Sequence, residues 1–482
     1  MKNLSVVRVL CVALCVLMFV ACDKRIEVYV TTAEGDVQTR FAQSDNVDMQ
    51  KVTPAQGDYI KLLSDNTLQP IYGFGAAITG STCYNLLKMS EEDREAILQE
   101  CFSPDKMAMS FIRISIGASD FSLDEYTCCD KEGIEFFELH EYDRRDLLPI
   151  LKRILEINPS IRIVGSPWSC PKWMKIDEEK GEPYDSWTGG ILNPEYYDDY
   201  AEYFVRWIGE MEAEGIPIFA VTIQNEPLNR GNSMSLYMGW EQQRDFIRDH
   251  LGPEFERNDI DAKIWVFDHN YNYDNIPDQQ GYPLHIFADK QASKYIDGSA
   301  WHNYGGRVSE LDRIAEAYPD KEIVFTEASI GTWNYDFGKC LVNDFASIFV
   351  GTMARGGRGV TLWNLILDDK GAPNRPKGCR TCFGAIEISS QSYDYASLDR
   401  KSHYYNIVHC SKVIRPDAYR IETESALPQG VEMAAFVNPD SSLAVIAYNR
   451  GDEQKDIVVK GSKREFTLTL PAHSIASARW EE

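Results

Sequence analysis

Eight short apolar runs, most of them followed by a helix-like stretch, constrain this chain more than any other feature. The runs are Tyr72–Ile78, Ser110–Ile116, Ile161–Ser166, Phe219–Ile223, Ile264–Phe267, Ser299–His302, Ile323–Thr326 and Val360–Leu365. Each has strand length, β-branched or aromatic content, and turn-forming residues after it. Helix-like stretches lie between them: Glu91–Cys101 behind the N-cap residue Ser90, then Arg145–Ile157, Pro194–Glu214, Glu241–Leu251, Glu310–Tyr318 and Val342–Arg355. Eight strands alternating with helices predict an α/β fold, a (β/α)8 TIM barrel. From Pro416 the texture changes to short alternating segments separated by Pro, Gly, Asn and Asp, with no helix signal. That pattern predicts an antiparallel β-sandwich, which the strand-like residues 23–68 complete if the two termini lie close together. The expected division is 1–22 leader, 23–68 N-terminal strands, 69–412 barrel and 413–482 β domain. A length of 482 residues with 44% hydrophobic content suits one large and one smaller core.

The first residues read as a targeting segment rather than as fold. Lys2 and Arg8 precede an apolar run, Val9–Val20, that is too short to span a bilayer comfortably. Phe19-Val20-Ala21-Cys22 then resembles a lipobox, with Phe19 where Leu is usual. Cys22 is the expected lipidated residue, which predicts a bacterial cell-envelope lipoprotein, in the outer membrane or periplasm, touching membrane only through that anchor. A plain secreted protein and an uncleaved anchor are the alternatives.

The formal net charge is −25. Without residues 1–21, which hold Lys2, Arg8 and no acid, 47 basic face 74 acidic residues, a net −27. Such a surface repels nucleic acid and anionic headgroups, so a neutral substrate fits better. Arg355-Gly356-Gly357-Arg358-Gly359 resembles an RNA-binding segment but stands alone, and reads as a connecting turn. Nine of the twelve Cys follow residue 22, an odd number that permits no complete pairing. Cys379-Arg380-Thr381-Cys382 is a single CxxC, which makes a local loop staple or free thiols rather than a zinc knuckle. His302 with His269 and His285 shows no tight ligand spacing, so no metal and no cofactor are expected.

Two glutamates end the fourth and seventh runs, where barrel strands deliver side chains to the active-site mouth. Glu226 lies in Gln224-Asn225-Glu226-Pro227 and Glu327 in Phe325-Thr326-Glu327-Ala328. Two carboxylates in one mouth are the equipment for cleaving a glycosidic bond. Glu226 can protonate a leaving oxygen if apolar surroundings raise its pKa, and Glu327 can attack the anomeric carbon if it stays ionised. Arg113 at another strand end would keep that carboxylate charged. Asp120 and Asn225 can bind hydroxyls, Trp168 offers an aromatic face, and His302, Tyr304 and Trp363 end strands six and eight. Singly, each of these suits ordinary barrel packing; together they do not.

These residues sit in segments that resemble glycoside hydrolase family 30, the family of glucocerebrosidase and of bacterial and fungal β-1,6-glucanases. The matching segments are Gly73 to Thr79, Arg113 to Phe121, Ser166-Pro167-Trp168, Thr222 to Pro227, Gln243 to Phe246, Thr326-Glu327-Ala328 and Trp363-Asn364. The resemblance implies a barrel with a side β domain built from both termini, and retaining hydrolysis of a β-linked sugar. By position it implies Glu226 as acid/base and Glu327 as nucleophile. It places Arg113, Asp120, Trp168, Asn225 and Trp363 along a glucose subsite, His302 and Tyr304 beside the nucleophile, and Asn374 in the loop after strand eight. Gly80 replaces an Asp, Ser329 replaces a Cys, and the Cys379–Cys382 loop matches nothing in the family.

The stretch Asn225 to Trp240 resembles the β-1,6-glucanase branch, so the expected substrate is β-1,6-glucan or another neutral β-glucoside, taken by a monomer. A glucosylceramidase, xylanase or fucosidase of the same family is the alternative enzyme. A non-catalytic glycan-binding lipoprotein is the alternative of another class, and a dead barrel need not keep both glutamates. Endo or exo action is set by loop depth.

Overall fold

The computed structural model describes residues 26–36, 39–44, 47–232, 234–375 and 378–482. The leader and Cys22 lie outside the described residues. Among the described residues, no helix is long and apolar enough to cross a membrane.

Eight parallel strands pair in chain order: Gly73–Ala76, Phe111–Ile116, Arg162–Pro167, Ala220–Thr222, Lys263–Asn270, Gly298–His302, Glu322–Glu327 and Gly357–Leu362. The eighth pairs with the first from Gly359↔Gly73 to Leu362↔Ala76. The first meets the second through the bridge Ala77↔Arg113 and the bond from Ser110 N–H to the Phe74 carbonyl, 3.1 Å. The sheet is therefore closed and has no free edge.

Strand periodicity explains what fills the barrel and what faces its mouth. At the lower end the inward residues are apolar: Tyr72, Phe111, Val164, Ala220, Trp265, Ala300 and Val324 form one buried cluster. One pleat further along, the same strands present Arg113, Ser166, Thr222 and Thr326, all buried and hydrogen-bonded to one another or to Asp268. The alternate residues, such as Ile112, Ile114, Ile163 and Phe325, belong to the larger core that the helices cover. The step from an apolar to a polar layer is written into every second residue, and it raises the functional groups to the carboxyl ends of the strands.

The β domain is built from both termini, as expected. Glu27–Thr32 pairs antiparallel with Ser474–Trp480. Tyr59–Pro70 pairs antiparallel with Tyr419–Ala426 and parallel with Lys455–Lys460. Its own core holds Val28, Ile60, Leu62, Val445, Phe466 and Trp480.

Several boundaries differ from the sequence reading. The fifth strand runs on to Asn270 because a bulge between Phe267 and His269 carries the chain through three further polar residues. The eighth strand ends at Leu362, not Leu365, since Asn364 takes φ +61°, which a strand cannot continue. The supposed turn Arg355–Gly359 divides: Gly356 turns at φ +84°, and Gly357 already opens strand eight. A Cβ at Gly359 would lie 2.7 Å from the Phe111 ring, so the glycine serves barrel packing. Gly80 opens the helix Gly80–Lys88 behind the N-cap Thr79. Helices Gly80–Lys88, Tyr282–Ala288 and Ser402–Ser411 escaped the sequence reading. The last is buried along its whole length and lacks the polar face that periodicity detects.

Candidate active site

Glu327 ends strand seven and Glu226 lies four residues beyond strand four, both buried, with carboxylate oxygens within 4.8 Å of each other. Glu226 adopts φ +46°, a conformation few non-glycine residues take, and its N–H donates to the Asp268 carbonyl across 3.0 Å. That kink turns the side chain into the mouth. Asn229 and Asn232 each donate to Glu226 Oε2, at 2.8 and 2.5 Å. His302 Nδ1 and His269 Nε2 lie 3.6 and 3.8 Å from Glu226 Oε1.

Glu327 accepts from Arg113 Nη1 at 2.5 Å through Oε2 and from the Tyr304 hydroxyl at 3.0 Å through Oε1. Arg113 also donates to Asn225 Oδ1 at 2.8 Å and to Asp268 Oδ2 at 2.6 Å. Its guanidinium lies 4.8 Å from the Trp168 ring centre and 5.6 Å from that of Trp363, and the two indoles stack on each other at 4.9 Å. Arg113 is thus held on every side, and the cation next to Glu327 is fixed in place.

Asp268 was missed by the sequence reading and sits at the centre. The bulge in strand five and φ +66° aim its carboxylate inward. It binds Arg113, accepts from the Thr326 hydroxyl at 2.6 Å and meets His302 Nε2 at 3.0 Å. Burial raises its pKa, but the charges of Arg113 and His302 reverse this and hold it well below the usual carboxylate range. His302 loses basicity through burial, yet the charge of Glu327 and its contact with Asp268 push it up to about 9. Burial lowers His269 below the ordinary imidazole value.

Two pKa orders run against expectation. Burial pushes Glu226 up, but the nearby imidazoles of His302 and His269 and the hydrogen bond from Asn229 pull it down to about 2. Burial raises Glu327, His302 and Arg113 pull it back, and the charges of Glu226 and Asp268 leave it above its ordinary value. Asp120 is also raised, by burial and then by the charges of Glu327 and Glu226, and its Oδ1 has no hydrogen-bond partner. An acceptor so placed, together with the unpartnered Asn364 Nδ2, suits sugar hydroxyls.

The structure thus brings together Arg113, Asp120, Asn225, His302 and Tyr304 around the two glutamates, with Trp168 and Trp363 as a wall. Asn374 is turned to its own loop, donating to the Gly371 carbonyl at 2.7 Å. Glu226, His302 and Glu327 carry atom types that can also bind a metal. Arg113, 2.5 Å from Glu327, already supplies the cation there. Asn229, Asn232, His269 and Asp268 are additions that strand-end reasoning alone did not single out. Lys175 is another: it is buried, and its Nζ donates to the carbonyls of Gly189 and Ser235, both at 2.8 Å. It ties the loop after strand three to the loop that carries Asn229 and Asn232.

Comparison with known proteins agrees with this geometry. Residues 71–414 match the glycosyl hydrolase family 30 TIM-barrel domain and residues 417–478 the family's beta sandwich domain. The solved structure of the endo-beta1,6-glucanase BT3312 is 48% identical, with a TM-score of 0.90 over 95% of this chain and 100% of that one. Endo-1,6-beta-D-glucanase BGN16.3 of Trichoderma harzianum is 28% identical over 85% of this chain and 84% of its own length. Putative glucosylceramidase 1 of Caenorhabditis elegans is also 28% identical, over 86% and 81%. The chain belongs to glycosyl hydrolase family 30 and is a glycoside hydrolase with that family's barrel and β-sandwich.

Proposed function

We propose that this protein is a retaining glycoside hydrolase that cleaves β-1,6-glucosidic linkages in β-glucan by double displacement. The observation that carries the mechanism is the approach of the two buried carboxylates, whose oxygens lie within 4.8 Å. Retaining enzymes hold their carboxyl groups about 5–5.5 Å apart, while inverting enzymes leave about 6.5–9.5 Å for a water. Glu327 attacks the anomeric carbon and Glu226 protonates the leaving oxygen; Glu226 then takes a proton from the water that releases the sugar. Arg113 and Tyr304 orient the nucleophile, and Asp120 and Asn225 bind hydroxyls of the sugar under attack.

The pKa order of Glu226 and Glu327 is reconciled with these roles by one proton. Glu226 ionised beside charged His302 and neutral Glu226 beside neutral His302 hold the same number of protons. The proton crosses between His302 Nδ1 and Glu226 Oε1, 3.6 Å apart. A neutral sugar that displaces water favours the less charged arrangement. Glu226 is then the acid; Glu327 has lost both the His302 charge that lowers it and the Glu226 charge that raises it, and Arg113 is the cation that keeps it ionised.

This predicts that kcat/KM falls on the alkaline side near the about 9 of His302, where the pair has lost its proton. In His302→Asn the carboxyl holds that proton alone. The alkaline limb then moves down by more than about two pH units, toward the carboxylic-acid range. A pH–rate profile of the two proteins checks this, and an unmoved alkaline limb contradicts it.

The β-1,6 preference rests on the 48% identity to an endo-beta1,6-glucanase and on the resemblance of residues 225–240 to that branch. Protein lacking residues 1–22 is expected to release gluco-oligosaccharides or glucose from pustulan. It should do so faster than it cleaves laminarin or glucosylceramide in detergent, with no added metal. Inactivity on pustulan beside brisk glucosylceramide hydrolysis overturns the substrate and leaves the retaining chemistry standing. From the lipobox-like segment we further propose that Cys22 anchors the enzyme as a bacterial envelope lipoprotein. Metabolic labelling with a palmitate analogue, lost in Cys22→Ala, tests the anchor.

A further inference from the structure

Of the ten tryptophans, Trp333 alone is exposed, at 54%. It lies in the loop after strand seven, six residues beyond Glu327. That loop is not left to itself. Ile330–Gly331 pairs antiparallel with Cys382–Phe383 of the loop after strand eight. Thr332 N–H donates to the Thr381 carbonyl at 2.8 Å, and a disulfide joins Cys379 to Cys382. The stapled segment that matched nothing by sequence thus forms a backing strand for the Trp333 loop.

Gly331 fixes where the indole goes. A Cβ there would lie 2.0 Å from the Trp333 ring and 2.2 Å from the Thr381 carbonyl oxygen. Only glycine lets the ring fold back over this two-stranded support while the backing strand stays in register. Gly331 is four residues past the proposed nucleophile, so it stands within about 13 Å of it along extended chain. Between them lies Ser329, whose hydroxyl is 3.3 Å from that of Tyr304. Tyr304 is 44% exposed and bonds Glu327 directly. Tyr304 and Trp333 are thus two exposed aromatics, one bonded to the proposed nucleophile and one in the paired loop that follows it in the chain.

A β-glucopyranosyl unit carries its hydroxyls equatorially and presents C–H groups on its two faces, so a flat aromatic ring is its natural support. We propose that Trp333 is a platform for a glucosyl unit on the leaving-group side of the cleaved bond. Gly331 and the Cys379–Cys382 strand hold it in position. This rests on the glucan reading above and extends it: a support beyond the reacting sugar favours cutting within a chain.

The test compares two substrates that share the sugar under attack. β-Glucosyl fluoride has no leaving-group sugar, and a β-1,6-linked glucotetraose has one. In Trp333→Ala, fluoride hydrolysis stays within about twofold of wild type. For the tetraose, KM rises about tenfold with kcat nearly unchanged, the mark of lost uniform binding. Trp333→Phe recovers part of the loss. Gly331→Ala keeps the tryptophan but displaces it, and repeats the tetraose defect. Equal losses on both substrates, or no loss on the tetraose, overturn the platform. If wild type ignores the tetraose but cleaves another β-linked oligosaccharide, the linkage reading has failed. The same comparison on that oligosaccharide then decides the platform separately.

Discussion

Glu327→Gln lowers kcat/KM by roughly 10^4–10^6-fold, and does so even for substrates with highly activated leaving groups. The reason is that no glycosyl-enzyme forms without the carboxylate, however easily the leaving group departs. At the midpoint this is a loss of about 7 kcal/mol of transition-state stabilisation. The substitution is nearly isosteric: the Gln carbonyl oxygen can still accept from Arg113, and its amide N–H can donate to the Tyr304 hydroxyl, the two groups that hold Glu327 at 2.5 and 3.0 Å. It also removes one of four acidic groups clustered with Asp120, Glu226 and Asp268, so the fold is expected to survive. Steady-state rates on a dinitrophenyl β-glucoside and on gentiobiose, beside a thermal melt, check both halves. Retention of a large fraction of activity on the activated substrate contradicts the assignment.

Glu226→Gln gives a different pattern. Removal of a general acid costs roughly 10^2–10^4-fold where the leaving oxygen needs a proton. Gentiobiose should therefore show the full loss. A dinitrophenyl glucoside should form the glycosyl-enzyme almost normally, since its leaving group needs no proton, and then stall because no base activates water. Azide needs no base, so it restores turnover and yields the β-glucosyl azide. Rates with and without azide, and the configuration of the azide product, check this. If Glu226→Gln and Glu327→Gln respond alike to leaving group and azide, the two roles are misassigned.

How far the site could be read from sequence depended on the kind of backbone each residue occupies. Glu327, Arg113 and His302 end or lie within regular strands, so the alternation that predicts the barrel also predicts which end they reach. Glu226 lies four residues past strand four at φ +46°, and its place after an apolar run and the family resemblance marked it. Asp268 lies one residue beyond the reading of its strand, and it points inward only through a bulge and φ +66°. Nothing in a period of two announces such a residue. Asn229 and Asn232 lie in a loop whose shape is set partly by Lys175 from another loop, so only resemblance marked that stretch. The lowered pKa of Glu226 is illegible in the sequence for a related reason. Sequence places both glutamates in apolar surroundings but does not show that two imidazoles approach Glu226 within 4 Å. Nor does it show that Asp268 holds one of them charged. For the β domain, alternation sufficed for the C-terminal strands. Joining Glu27–Thr32 to Ser474–Trp480 needed the expectation that the termini meet.

The most direct test of the central claim is to trap the intermediate. A 2-deoxy-2-fluoro-β-glucoside with an activated leaving group slows both steps, and the second more in effect, so the glycosyl-enzyme accumulates. Mass spectrometry of the inactivated protein should show one fluoroglucosyl adduct, and digestion should place it on the peptide that carries Glu327. The adduct should be absent from Glu327→Gln and present in Glu226→Gln. An adduct on Glu226, or time-dependent inactivation with none on Glu327, contradicts the account.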